Sequence, residues 1–158
     1  MTKEAYGVTV FCDDIRHEIN GKMTLVGCYS SELNFSGPAP GVLPTFAALV
    51  SLRFPREERF EKLNLSVTKI EAGELTEIFA AETEIAPEAF LDGGAKVEEN
   101  IDDKVLSVVV PIQWTPLVFS GPAFLRVRAR LDTGQEVRAG SLKISFPDVD
   151  STGTEHGS

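Results

Sequence analysis

Residues 125–139 read Leu-Arg-Val-Arg-Ala-Arg-Leu-Asp-Thr-Gly-Gln-Glu-Val-Arg-Ala, and the reading of this stretch decides the fold. Leu125, Val127, Ala129 and Leu131 alternate with Arg126, Arg128 and Arg130. A period of two is the mark of a strand buried on one face. Asp132-Thr133-Gly134 supplies a three-residue turn, with Gly where a positive φ is needed. Across that turn Arg130 faces Glu136 and Arg128 faces Arg138. The return strand carries Val137 and Ala139, then changes parity to Leu142, Ile144 and Phe146, which predicts one extra residue near Gly140-Ser141.

The same alternation recurs upstream. Phe46, Ala48, Val50, Leu52 and Phe54 share a face, as do Leu63, Leu65 and Val67. Leu75, Phe79, Ala81 and Ile85 keep strand periodicity although Glu77 interrupts it, and Glu, Ala and Leu there also suit a helix. Leu106, Val108, Val110 and Ile112 form another run, with Pro111 and Pro116 pointing to a sheet edge or a bend. At the start, Tyr6 to Cys12 and Lys22 to Tyr29 flank Asn20-Gly21. The second of these runs puts Met23, Leu25 and Tyr29 on one face. The parity change between Val8/Val10/Cys12 and Ile15/Ile19 predicts a bulge or loop at Asp13-Asp14. About eight strands without a long helix predict an all-β fold, because a lone sheet would leave one apolar face wet. The expected architecture is a single-domain antiparallel β-sandwich, immunoglobulin-like or C2-like, over residues 1–147, with a mobile tail over 148–158. Residues 86–103 read as the most irregular region, with one helical turn at Pro87 to Leu91.

The chain of 158 residues carries a formal charge of −9, which argues against binding nucleic acid or an anionic membrane surface. No signal-peptide core or apolar run long enough to span a bilayer is apparent, so a cytoplasmic location is expected. Cys12 and Cys28 are too few for a disulfide scaffold. A two-residue turn at Asn20-Gly21 would set Cys12 opposite Tyr29 and Cys28 opposite Asp13, with the sulfurs on opposite faces. Both cysteines then read as small buried hydrophobes.

Cys12-Asp13-Asp14-Ile15-Arg16-His17-Glu18, followed by Gly21-Lys22 and Leu25-Val26-Gly27-Cys28-Tyr29, resembles the opening motif of a bacterial and phage-associated family known as a domain of unknown function. The resemblance implies a small intracellular sandwich, covers nearly the whole chain apart from the tail, and brings no catalytic residue with it.

Four features offer chemistry, each with a plainer structural reading. Asp13, Asp14, His17 and Glu18 could hold a divalent metal, but alternation splits them between two faces, and a turn cap with Arg16 pairing locally explains them as well. Arg126, Arg128, Arg130 and Arg138 form a cationic ribbon able to take a carboxylate or phosphate, or else a solvated face neutralised by the chain's own acids. Glu98 to Asp103 could bind calcium as C2 loops do, or be a solvated loop. Trp114, Leu117 and Phe119 form either a docking patch for a protein or a loop closing one end of the core. His17 is the one realistic general base, and no nucleophile elbow, paired-Cys metal signature or P-loop is present. The expectation is a non-enzymatic module without cofactor that contacts an unidentified protein, with self-association open. The alternatives are a small anionic-ligand (nucleotide) binder on the Arg ribbon and a metal-dependent enzyme on Asp13–Glu18.

Overall fold

The computed structural model describes residues 4–86 and 105–148. Among them the chain forms eight strands of seven residues or more, which are β1 (Tyr6–His17), β2 (Met23–Tyr29), β5 (Phe46–Pro55), β6 (Lys62–Glu71), β7 (Glu74–Glu84), β8 (Val105–Trp114), β10 (Ala123–Leu131) and β11 (Glu136–Ser145). Three short strands complete the set: β3 (Glu32–Asn34), β4 (Gly41–Leu43) and β9 (Leu117–Phe119). One sheet runs β2-β1-β5-β8 and the other β3-β11-β10-β6-β7, with β4 and β9 as a separate ribbon. Pairing is antiparallel except between β3 and β11. The all-β sandwich expected from alternation is the fold. The expected helical turn at 87–91, the acidic stretch 98–103 and tail residues 149–158 lie outside the described residues.

The core lies between the two sheets. From the four-stranded sheet come Phe11, Phe46, Ala48, Val50, Leu52, Phe54, Leu106 and Ile112; from the other come Leu63, Leu65, Val67, Leu125, Val127, Ala129, Leu142 and Ile144. β1 crosses closest to β11. A side chain at Gly7 would meet Leu52 and Ala139 within 2.8 Å, and the Thr9 hydroxyl donates to the Ala139 carbonyl at 2.6 Å.

The closing hairpin forms in the expected register, with Arg128 opposite Arg138 and Arg130 opposite Glu136. Gly134 has φ +95°, and the extra residue is Ala139, next to Gly140. Residues 75–84 are strand and Ile85 lies just past its end, but a bulge at Ile78 separates Leu75 from Phe79 and Ala81. Leu75 is therefore turned outward and is exposed. β8 is an edge strand, as its prolines predict.

The first hairpin differs from expectation. Asn20 and Gly21 are both left-handed, yet they lie within a five-residue loop closed by the Glu18 amide donating to the Lys22 carbonyl at 2.7 Å. The longer loop shifts the register by one, so Cys12 faces Cys28 rather than Tyr29. The predicted irregularity at Asp13 is present as a gap in the ladder opposite Gly27, whose φ is +67°. Leu25 therefore packs on the outer side with Ile15 and Cys12, while Tyr29 turns inward onto Phe46.

Ala72 and Gly73 form the two-residue turn between β6 and β7, with φ of 50° and 78°. Alanine is strained in that left-handed position, whereas Asn tolerates it. Ala72→Asn is expected to raise the free energy of unfolding by about 0.5–1 kcal/mol, read from denaturant titration. An unchanged or lower midpoint would contradict this turn geometry.

Candidate functional site

The arginine ribbon lies on the outer face of the five-stranded sheet, because its residues alternate with the inward Leu125, Val127 and Ala129. The Arg128–Arg138 repulsion foreseen from the register is relieved within the hairpin. Glu136 pairs with Arg128 at 3.2 Å and with Arg130 at 3.4 Å, and Arg128 also donates to the Val127 carbonyl at 3.1 Å. Partial burial lowers the Arg128 pKa, as do the nearby Arg126 and Arg138, and Glu136 opposes the shift. Beside this group is an open depression of about 420 Å³ whose lining includes Arg128 and Arg130 but also Glu77, Glu82 and Glu136. An anion entering it would meet three carboxylates. Arg126 and Arg138 make no ion pair among the described residues.

The Trp114 loop folds over the end of the sandwich. Leu117 and Phe119 are buried, so they are withdrawn from the docking role considered for them. Trp114 is half-buried against Phe46, and its indole N–H donates at 3.0 Å to the Ile78 carbonyl. The bulge in β7 thereby ties the two sheets together. Lys69 donates to the Val118 carbonyl at 3.1 Å, and Glu71 accepts from the Ser120 amide at 3.0 Å. Two charged groups that continue the inward column of β6 thus cap the core through backbone partners.

Asp13, Asp14, His17 and Glu18 do not converge. Asp13 accepts the Tyr29 hydroxyl, whereas Asp14 accepts from Gln113 at 2.8 Å and lies 4.0 Å from Arg16. His17 and Glu18 are exposed at the hairpin end. Among the described residues no group of three or more His, Cys, Asp or Glu gathers in a metal-binding arrangement. A side chain at Gly27 would sit 2.2 Å from the Asp13 carboxylate, so the Gly of the opening motif makes room for its Asp. Burial, then the hydrogen bond to Asp13 and that group's charge, raise the Tyr29 pKa. These motif residues build one structural corner.

The feature that sequence reasoning missed is the outer face of the four-stranded sheet. The cross-strand rows there are Tyr6–Arg53–Ser107, Val8–Ser51–Val109, Val10–Leu49–Pro111 and Cys12–Ala47–Gln113. Tyr6, Val8 and Val109 are 52%, 55% and 49% exposed. The signal was present in the unbroken apolar runs Phe46 to Val50 and Val108 to Ile112, since a strand apolar at every position is apolar on both faces. No protein-family model matches the chain, and no curated protein matches it. No helix of the described residues is long and apolar enough to cross a membrane.

Cys12 is fully buried, and its thiol pKa is raised to about 11 by burial first and then by the neighbouring Cys28. Cys28, read from sequence as buried, is exposed. Maleimide at about pH 8 is expected to modify Cys28 alone, with Cys12 reacting only after denaturation, as counted by intact mass. Two rapid additions to the native protein would contradict the placement of Cys12.

Proposed function

We propose that this chain is a non-enzymatic protein-interaction module whose contact surface is the outer face of the four-stranded sheet. One observation carries the reading. Of the twelve side chains in the four rows above, Arg53 is the only charged one, on a protein of net charge −9. Cys12 and Ala47 are wholly buried, and the apolar surface of the rows is made by Tyr6, Val8, Val10, Leu49, Val109 and Pro111; apolar patches of this kind mark places where proteins meet. Partners for Asp13 and Asp14 within the fold support the structural reading of that segment over a metal-dependent enzyme. A cytoplasmic setting, and kinship with the bacterial and phage-associated family that the opening motif resembles, belong to the same proposal. Two cysteines, too few for a disulfide scaffold, support the first. The quoted motif supports the second.

A photo-crosslinking residue placed at Val109 in the intact chain, expressed in its host, is expected to capture protein. The same residue at Arg126, on the opposite sheet, is expected to capture little. Equal yields at both positions, or none at Val109, would overturn the assignment.

A second reading, a small-anion or nucleotide binder, draws on Arg126 and Arg138, which have no ion-pair partner among the described residues. Under the main reading, nucleoside triphosphates at roughly millimolar concentration leave the melting temperature unchanged. A rise of several degrees that Arg126→Ala with Arg138→Ala abolishes would replace the main reading with this one.

A further inference from the structure

We infer that the partner seated on this face is a second copy of the same chain, packed sheet against sheet; the inference rests on the module reading above.

Three features of the face lead there. The first is shape. Strands spaced about 4.8 Å apart and rising about 3.4 Å per residue give the four rows, three strands wide and seven residues long, roughly 340 Å² in projection. A stable interface takes about 800 Å² of accessible surface per partner. The rows form the centre of such a contact, and β2 and the Asp14 end of β1 complete it. Its exposed side chains are short or flat, being Tyr6, Val8, Val109 and Pro111, except for Gln113 at one end, which is held by Asp14. Two such faces can stack in the manner of the sandwich's own sheets.

The second feature is charge. Copies that each carry −9 repel one another, so contact is favoured where neither presents an acid. The outer face of the other sheet does not meet that condition, since Glu77, Glu82 and Glu136 line it. The four apolar rows contain no carboxylate at all.

The third feature is polarity along the strands. Arg53 lies at the Tyr6 end of the rows and makes no ion pair among the described residues. Asp14 lies beyond the Cys12 end, where it accepts from Gln113 and has the exposed Arg16 4.0 Å away. A two-fold axis in the plane of the interface, perpendicular to the strands, lays each end over the opposite end of its mate. Arg53 then meets Asp14 of the partner subunit, and Asp14 meets the partner's Arg53. An isologous contact of this kind gives Arg53 a carboxylate twice with one surface.

Sedimentation of the intact chain is expected to show a species of twice the 17.2 kDa chain mass, dissociating on dilution. Val8→Lys with Val109→Lys is expected to give a monomer with unaltered circular dichroism and melting. Phe124→Lys, on the far sheet, is expected to remain a dimer. Arg53→Asp should weaken self-association about tenfold, and Asp14→Arg added to it should restore the affinity. A wild-type chain that stays monomeric to about 100 μM overturns the inference. So does a dimer that Phe124→Lys disrupts and Val8→Lys with Val109→Lys leaves intact. If the chain is monomeric while Val109 still captures a different protein, the second copy is wrong and the interaction module stands. If Val109 captures nothing, both fall.

Discussion

Phase is the constraint on which this molecule depends. In a pleated strand, a slip of one residue turns every inward side chain outward. β5 sets the phase of one sheet, because Phe46, Ala48, Val50, Leu52 and Phe54 are all wholly buried. β10 sets it for the other through Leu125, Val127 and Ala129. Three strands keep that phase only by way of a local irregularity, β2 against β1, β7 against β6 and β11 against β10. β2 does so at Gly27, β7 at Ile78, and β11 at Ala139. Each irregularity forfeits about one ladder hydrogen bond, worth ~1 kcal/mol net. Keeping one large apolar side chain in the core returns about 1.5–3 kcal/mol. Burial therefore wins over regular pairing at all three places, and the carbonyl set off by the Ile78 bulge finds a donor in Trp114.

How far the sequence could be read follows from the same competition. The closing hairpin was legible almost to the residue, because a three-residue turn and two alternating strands fix the register locally. Arg128 opposite Arg138 could be foreseen without coordinates. The first hairpin could not, since Asn20 and Gly21 have the left-handed backbone of a tight turn but sit inside a wider loop. Sequence offers no means of telling those two loops apart, and the one-residue error paired Cys12 with the wrong partner. Fates of the candidate site residues were decided by groups distant along the chain. Glu71 and Lys69 hold the loop that buries Phe119, about fifty positions away. Gln113 takes Asp14 from nearly a hundred positions away. Spacing rules see neighbours; they do not see these. The apolar outer face lay in plain view as unbroken runs in β5 and β8. Period-two reading assigns every second residue to the core and disregards the rest.

The two outer faces of the sandwich differ in what drying them would cost. Stripping water from Arg126, Arg130, Glu82 and Glu136 would incur several kcal/mol for each ion left imperfectly paired. The Val8–Ser51–Val109 and Val10–Leu49–Pro111 rows contain no ion, and covering them releases water from carbon. The sheet edges are sided as well. Among the described residues β7 is an edge strand and carries Glu74, Glu77, Glu82 and Glu84, and charge there discourages strand addition. β2, at the edge of the other sheet, carries no charge from Met23 to Tyr29, but Gly27 bends it out of a regular ladder. β8 and β3 are the other two edges; Pro111 interrupts the first and the second is three residues long, so strand addition is hindered at each edge by charge, backbone shape, proline or length. Of the two outer faces, the one whose central rows hold no ion is therefore the cheaper to cover.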